Sequence, residues 1–272
     1  MKLISWLILP ALVAGCAVVD RSGQGPRVGA RAAIVWDVDR GVAVYEKNDD
    51  VRMPVASTQK LLTAIESIRA GQLEKRVEIT ALDAAQPPSR LGLEPGSRHR
   101  KIDLLGAMLV TSANDAASAL SHADGDRASF IAGMNRHAAR LGARNSNFTN
   151  PHGLDENGQF STARDMALIA CAALRDPLVR RFAATRTVLL ERSGGDWMLA
   201  ENTNELLWDR EECFDGLKSG FTLQGGKCLV ASARSHGRRI LIVLLGGTPE
   251  DVFPDARRLL RWHEKRFPAG PG

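Results

Sequence analysis

The stretch MPVASTQKLLTA, residues 53–64, marks the point where strand-like sequence gives way to helix. Behind it, ARAAIVWDVDRGVAVYEKN (residues 30–48) is two apolar runs around DRG and predicts a β-hairpin. Ahead of it, STQKLLTAIESIRAG has apolar residues at 61, 62, 65 and 68 and stops at Gly71, which predicts a helix. Within the stretch, Ser57 and Lys60 lie three apart at the start of that helix and therefore share a face. A hydroxyl at a helix N-terminus gains from free N–H groups and the helix dipole, both of which favour a developing anion. A lysine crowded by cations and removed from water loses its proton more readily and becomes a base.

Working outward, KIDLLGAMLVTSANDAASALSHA predicts two helices broken near TSAN, and RASFIAGMNRHAARLG predicts an amphipathic helix closing at Gly142. STARDMALIACAALRD is a further capped helix. After residue 186 the texture turns to β through TRTVLLE, DWMLAE, FDGLKSGFT, KCLVASARS and RRILIVLLGG, and PDARRLLRWHEKRF is a final helix. Strands thus come from both ends of the chain with helices between them. The fold class is α/β (α+β): an antiparallel sheet flanked by helices, with an inserted helical lobe.

The 272 residues suffice for one large domain, and 44% apolar with 25% charged residues is a globular composition. The net charge of +5 is not gathered into blocks interleaved with aromatics, so no nucleic-acid partner is expected. MKLISWLILPALVAGC is too short to span a bilayer, which takes roughly 20 apolar residues, and reads as a secretory signal. LVAGC resembles the lipobox of bacterial lipoproteins, which implies lipidation of Cys16 and a membrane contact through that lipid. Ala17 in the next position implies the outer membrane, facing the periplasm. The expected divisions are a signal peptide over 1–15, a Gly/Ser/Pro-rich lipidated tether over 16–30, the catalytic domain over 31–266 and a tail over 267–272.

An isolated S-x-x-K is expected about once by chance in a chain this long and fits a capping serine beside a solvated lysine. Two further motifs change its meaning. TSAND places Ser112 and Asn114 at the break between helices, and DGLKSGFT places Lys218, Ser219, Gly220 and Phe221 on a strand beside a turn. The order S-x-x-K, S-x-N, K-[ST]-G resembles that of the penicilloyl-serine enzymes. FTNPHGLDENGQFSTARDMALI, NTNELLW and GGKCLVASA are similar to stretches of the low-molecular-mass D-alanyl-D-alanine peptidases (peptidase S11 type), over about residues 31–266.

The resemblance implies the β-lactamase/transpeptidase-like fold and a serine DD-peptidase acting on peptidoglycan stem peptides, inhibited by β-lactams and using no cofactor. It implies that Ser57 is the nucleophile, Lys60 its base and Ser112 a proton relay. Asn114 would hold the substrate amide, Lys218 keep the site positive, and Ser219 meet the substrate carboxylate. Gly220 would let the strand approach, and the N–H groups of Ser57 and Phe221 would form the oxyanion hole. Departures are Ser219 in place of a frequent Thr, Phe221 in place of a frequent His, and Thr203 where some members have Arg. Phe221, Thr203 and the single-domain ending look more like the endopeptidase branch than the carboxypeptidases. Two alternatives stand beside this reading. A class A-like β-lactamase would need a deacylating Glu, and residues 143–154 hold no acid. A catalytically inactive penicillin-binding sensor would not need these groups intact.

Other residues read as structural. His152 is expected to organise its loop, Asp165 to serve a helix start, and Trp36, Trp208 and Trp262 to lie in the core. Cys171, Cys213 and Cys228 are expected as buried free thiols, with Cys228 opposite about Phe221 and Cys213 near position 236, too far apart to bridge. No His, Cys or acidic residues have metal-ligand spacing.

Overall fold

The computed structural model describes residues 25–191, 196–209 and 213–268; Cys16, the signal segment and the tether up to residue 24 lie outside them. The main sheet has five antiparallel strands in the order β2-β1-β9-β8-β7. The N-terminal hairpin is β1 (Ala32–Asp37) and β2 (Val42–Lys47), turning through Gly41 at φ 69°. The C-terminal strands are β7 (Phe214–Thr222), β8 (Gly226–Ser235) and β9 (Arg238–Gly247). β1 pairs with β9, so the two ends of the chain close one sheet.

Both faces of this sheet are covered. One face, with Ala33, Val35, Ile242 and Leu244, packs on Val252, Phe253, Ala256 and Leu259 of α8 (Val252–Arg266). The other, with Ile34, Val230, Leu241 and Val243, packs on the helical lobe. Two-sided burial is why β9 reads ILIVLL rather than alternating.

The lobe comprises α1 (Lys60–Arg69), α2 (Ala81–Ala84), α3 (Lys101–Thr111), α4 (Asn114–Leu120), α5 (Arg127–Arg140), α6 (Ala163–Arg175) and α7 (Pro177–Ala184). Two small two-stranded sheets attach to it: β3 (Arg76–Glu78) with β4 (Arg98–Arg100), and β5 (Thr187–Glu191) with β6 (Trp197–Glu201). The β texture after residue 186 therefore divides. β5 and β6 bury one face only and stay out of the main sheet. α7, unmarked in the sequence reading, starts where Asp176 accepts from the N–H groups of Leu178 and Val179, with Pro177 at the first helical position.

Three expectations are corrected. Among the described residues only Cys228 is a buried thiol; Cys171 is half-buried, and Cys213, just ahead of the edge strand β7, is exposed. The register sets Cys228 opposite Gly220, and Cys213 beside Arg234. Trp208 is 44% exposed, with the Arg186 guanidinium 5.8 Å from its ring, while Trp36 and Trp262 are half-buried. Asp165 does stand in the first turn of α6, behind the capping Thr162, and its carboxylate also accepts from Asn145 N (2.7 Å) and Ser146 Oγ (2.6 Å).

Candidate active site

Ser57 lies on a 3-10 turn, Ala56–Gln59, that runs directly into α1. Lys60 is the first residue of α1, so the pair sits where the sequence places it, with the serine one tight turn ahead of the α-helix. Ala56 holds φ 49°, a left-handed conformation unusual for a residue with a side chain. The turn is clamped from both sides by glycines. A Cβ on Gly153 would lie 2.1 Å from the Ala56 carbonyl oxygen, and one on Gly220 would lie 2.5 Å from the Ser57 nitrogen. Only residues without side chains allow the 150s loop and β7 to come this close.

Lys60 is fully buried, and its amine makes three short contacts: Ser57 Oγ (2.7 Å), Asn114 Oδ1 (2.8 Å) and the His152 carbonyl (2.6 Å). Among the described residues, no carboxylate bonds to it. Burial pushes its pKa well below the ordinary lysine value, the charge of Lys218 pushes the same way, and Asp115 opposes them. The Asp115 oxygens are occupied by the N–H groups of Leu91, Gly92 and Leu93. A neutral Lys60 has a lone pair to take the Ser57 hydroxyl proton across 2.7 Å, the geometry of a nucleophile and its base.

Ser112 closes α3 in the left-handed region at φ 67° and is buried, and Asn114 opens α4. The Asn114 amide is committed to the protein. Its Nδ2 donates to the carbonyls of Pro87 (2.9 Å) and Pro88 (3.2 Å), while Oδ1 accepts from Lys60. The structure thus gives Asn114 the positioning of Lys60, a role beside the substrate contact expected from sequence.

β7 brings Lys218, Ser219 and Gly220 alongside the turn. Lys218 is buried, and its ammonium donates to Ser219 O (2.8 Å) and Thr203 Oγ1 (3.2 Å). Burial, with Lys227 acting in the same direction, brings its pKa down to about 7. Ser219 Oγ donates to Thr203 O (2.8 Å) and lies 3.0 Å from Thr203 Oγ1. Phe221 stands at the mouth, 54% exposed.

Three contributions were not singled out in the sequence. The His152 carbonyl, rather than its ring, reaches the centre. The ring accepts from Leu154 N (3.3 Å), and burial with the charge of Lys60 lowers its pKa to about 3, so it is neutral. Gln59 Nε2 and Thr63 Oγ1 hold the carbonyls of Asn150 and Pro151, each at 2.6 Å, tying the 150s loop to α1. Asp155 accepts from Thr222 Oγ1 (2.7 Å) and Gln224 N (3.1 Å), tying the same loop to the β7–β8 turn. The string NPHGLD was the available signal, since a Pro-His-Gly loop with flanking Asn and Asp promises local backbone bonds. Among the described residues no three His, Cys, Asp or Glu side chains come together to hold a metal ion.

Comparison with known proteins places this geometry. The Peptidase S11 family model, described as D-alanyl-D-alanine carboxypeptidase, matches residues 20–248. D-alanyl-D-alanine carboxypeptidase DacC of Escherichia coli is 33% identical over 261 residues, covering 91% of this chain and 64% of that protein. The D-alanyl-D-alanine endopeptidase of E. coli is 30% identical over 263 residues, covering 94% of this chain and 83% of its own length. The chain spans slightly less than two thirds of the first carboxypeptidases it matches. Among solved structures, a D-alanyl-D-alanine carboxypeptidase from Mycobacterium tuberculosis superposes with a TM-score of 0.86 at 31% identity, covering 92% of this chain and 96% of that one. Penicillin-binding protein D2 from Listeria monocytogenes, in its ampicillin-bound form, superposes with a TM-score of 0.76 at 32% identity, covering 87% and 98%.

Proposed function

This chain belongs to the Peptidase S11 family, and from that premise we propose that it is a serine DD-peptidase of peptidoglycan, acting through an acyl-enzyme on Ser57. The observation that carries the reading is the buried Lys60 amine 2.7 Å from Ser57 Oγ with Lys218 as a second buried cation.

In this reading the Ser57 oxygen attacks the carbonyl of a D-Ala residue as its proton passes to Lys60. The developing oxyanion is met by the N–H groups of Ser57 and Phe221. Gly220 makes their approach possible, with its Cβ position only 2.5 Å from Ser57 N. The C–N bond then breaks, and the leaving amine takes a proton relayed by Ser112. Lys218 keeps the local potential positive, and the Ser219 hydroxyl meets the substrate carboxylate. Water attacks the acyl-enzyme, releases the shortened peptide and restores Ser57. β-Lactams would enter by the same acylation and remain as the slow ester. The class A β-lactamase alternative needs a deacylating Glu in the loop before the third motif, and residues 143–154 hold no acid.

Between the two DD-peptidase reactions, the reading favours the crosslink over the terminal D-Ala. Thr203, a small neutral side chain, adjoins Ser219 and Lys218 where a cation would grip a free terminal carboxylate. The preference is one of degree, since a pocket of this kind separates substrates by ~1–3 kcal/mol. The test incubates the protein with crosslinked muropeptide dimers and with pentapeptide monomers and reads the products by chromatography. Dimers should be split faster. Rapid release of D-Ala from monomers with dimers untouched would overturn the preference, and turnover of either by Ser57→Ala would overturn the mechanism.

The location proposed is the periplasm, with the chain held at the outer membrane by a lipid on Cys16. LVAGC supports it, and among the described residues no helix is long and apolar enough to cross a membrane.

A further inference from the structure

A cavity of about 460 Å³ opens beside α3, and none of Ser57, Lys60, Ser112, Asn114 or Lys218 lines it. Its volume falls in the range of small-molecule sites, about 300–1,000 Å³. Leu91, Leu93, Leu104, Ala107, Phe182 and Leu190 give it an apolar lining. Trp197 of β6 stands at the cavity with 61% of its surface exposed, beside Leu189 at 58%. Large apolar side chains left open to water around a concavity mark a binding surface rather than a core.

The charged and polar lining is Arg76, Arg98 and Arg100 of the β3–β4 pair with His99, Asp103 and Glu191. Arg98 is paired with Glu78 (2.7 Å), and Arg100 with Glu74 (3.1 Å) and Asp103 (2.8 Å). Arg76 is different. Its guanidinium donates to the Arg98 carbonyl at 3.3 Å, and among the described residues no carboxylate lies within 4.0 Å of it. A guanidinium at the edge of an apolar cavity, with its fork unfilled, matches an acid head on an apolar body.

The cavity walls continue into the serine centre. α3 lines the cavity with Asp103, Leu104, Gly106 and Ala107 and ends at Thr111, next to Ser112. Leu91 and Leu93 are held by the carboxylate of Asp115, next to Asn114. β6 leads to Thr203, whose N–H donates to Val110 O of α3 (3.2 Å) and whose side chain meets Lys218 and Ser219. An occupant wedged between α3 and the β5–β6 hairpin would bear on the two elements that carry Ser112 and Thr203.

We propose that this cavity is a second ligand site, for an amphipathic acid whose apolar body lies on Leu104, Phe182 and Trp197 and whose head is taken by Arg76, and that its occupancy is coupled to the serine centre through α3 and β6. The coupling half rests on the serine-peptidase reading; the binding half does not.

The probe is 8-anilinonaphthalene-1-sulfonate, an apolar sulfonate that fluoresces when removed from water, titrated into the full chain. One dye should bind per protein. Arg76→Glu and Trp197→Ala, both at exposed residues, should each raise its Kd at least tenfold with unchanged circular dichroism. Leu223→Ser, on the exposed turn beside the serine cleft, should leave it unchanged. Equal binding to all three variants, or loss with Leu223→Ser alone, would overturn the site. Decanoate should displace the dye and decylamine should not; displacement by both equally would overturn the assignment to an acid. Displacement by decanoate alone assigns the site to a free acid, and displacement by phosphatidylglycerol vesicles as well extends it to a lipid. Displacement by neither overturns the proposal. Coupling is read as the rate at which a fluorescent penicillin labels Ser57 with and without saturating decanoate, with a change on the order of fivefold expected. An unchanged rate overturns the coupling, and if no labelling occurs at all, the dye titration still decides the site.

Discussion

Gly220→Ala is a one-methyl perturbation whose consequence can be worked from the geometry. The new Cβ would lie 2.5 Å from Ser57 N, 3.0 Å from the Ala56 Cβ and 3.1 Å from the Ser57 Cα, and relief to an ordinary contact of 3.4 Å requires a displacement of about 0.9 Å along the closest line. The Ser57 turn cannot supply it. Behind it Gly153 leaves no room, since even a Cβ there would reach within 2.1 Å of Ala56 O, and Ala56 already holds a positive φ. β7 can move, because it is an edge strand paired only with β8. The strain is therefore relieved by β7 swinging outward, carrying the Phe221 N–H away from the position of the oxyanion.

A misplacement of about 1 Å at a reacting centre costs about 100-fold, or ~2.7 kcal/mol in the acylation barrier. Overpacking costs ~1–3 kcal/mol in stability, and here the lower end applies because an edge strand yields. The assay is the second-order rate of labelling by a fluorescent penicillin, with a thermal melt alongside. Gly41→Ala is the control: its φ of 69° penalises a side chain in open space, on the distal hairpin. It should lower the melting temperature and leave the labelling rate unchanged. Labelling of Gly220→Ala at the wild-type rate would refute the argument that this glycine exists to bring β7 onto Ser57.

Three further outcomes are expected. Acylation should be bell-shaped in pH: it rises as Lys60 loses its proton and falls above about pH 7 as Lys218 loses its charge, so Lys218→Arg should carry the descending limb to higher pH, whereas a flat profile from pH 6 to 10 would contradict these assignments. Asp83 is buried; burial alone would raise its pKa, but bonds from His122, Ser118 and Thr80, with Arg127 at 2.9 Å, hold it well below the usual carboxylate range. Asp83→Ala should destabilise by about 3–5 kcal/mol, seen as a fall in Tm on the order of 10 °C, and a drop of only a degree or two would show that this network is dispensable. Cys16→Ser should move the protein from the membrane to the soluble fraction, and a variant that stays bound would remove the lipobox reading.

The parts of the fold that the sequence declares are those set by local pattern. The DRG hairpin, the break at TSAN, the closing Gly142 and the last amphipathic helix all carry their own turn or period. The parts it conceals depend on what lies opposite. TVLLE and WMLAE look like any strands, yet each buries one face and so forms a hairpin apart from the sheet. Trp208 is apolar but finds an arginine rather than a core.

The site divides the same way. Ser57, Lys60, Ser112, Lys218 and Ser219 are legible because their chemistry resides in side chains at fixed spacing. His152 is illegible as a participant because it contributes a carbonyl that any residue carries; Thr203 is marked in the sequence as a departure from Arg, but its contact with Ser219 is made only in three dimensions. The deeper limit concerns Lys60 itself. Spacing places its amine near the serine, but a capping serine with a solvated lysine has the same spacing. What separates the two is desolvation, supplied by Asn114 from the start of α4 and by the 150s loop pinned through Gln59 and Thr63, with the charge of Lys218 on β7 pushing the same way. Three segments distant in sequence must close over one amine before it loses its proton, so the motif names the pair, and the tertiary structure supplies the setting that the proposed nucleophile and base require.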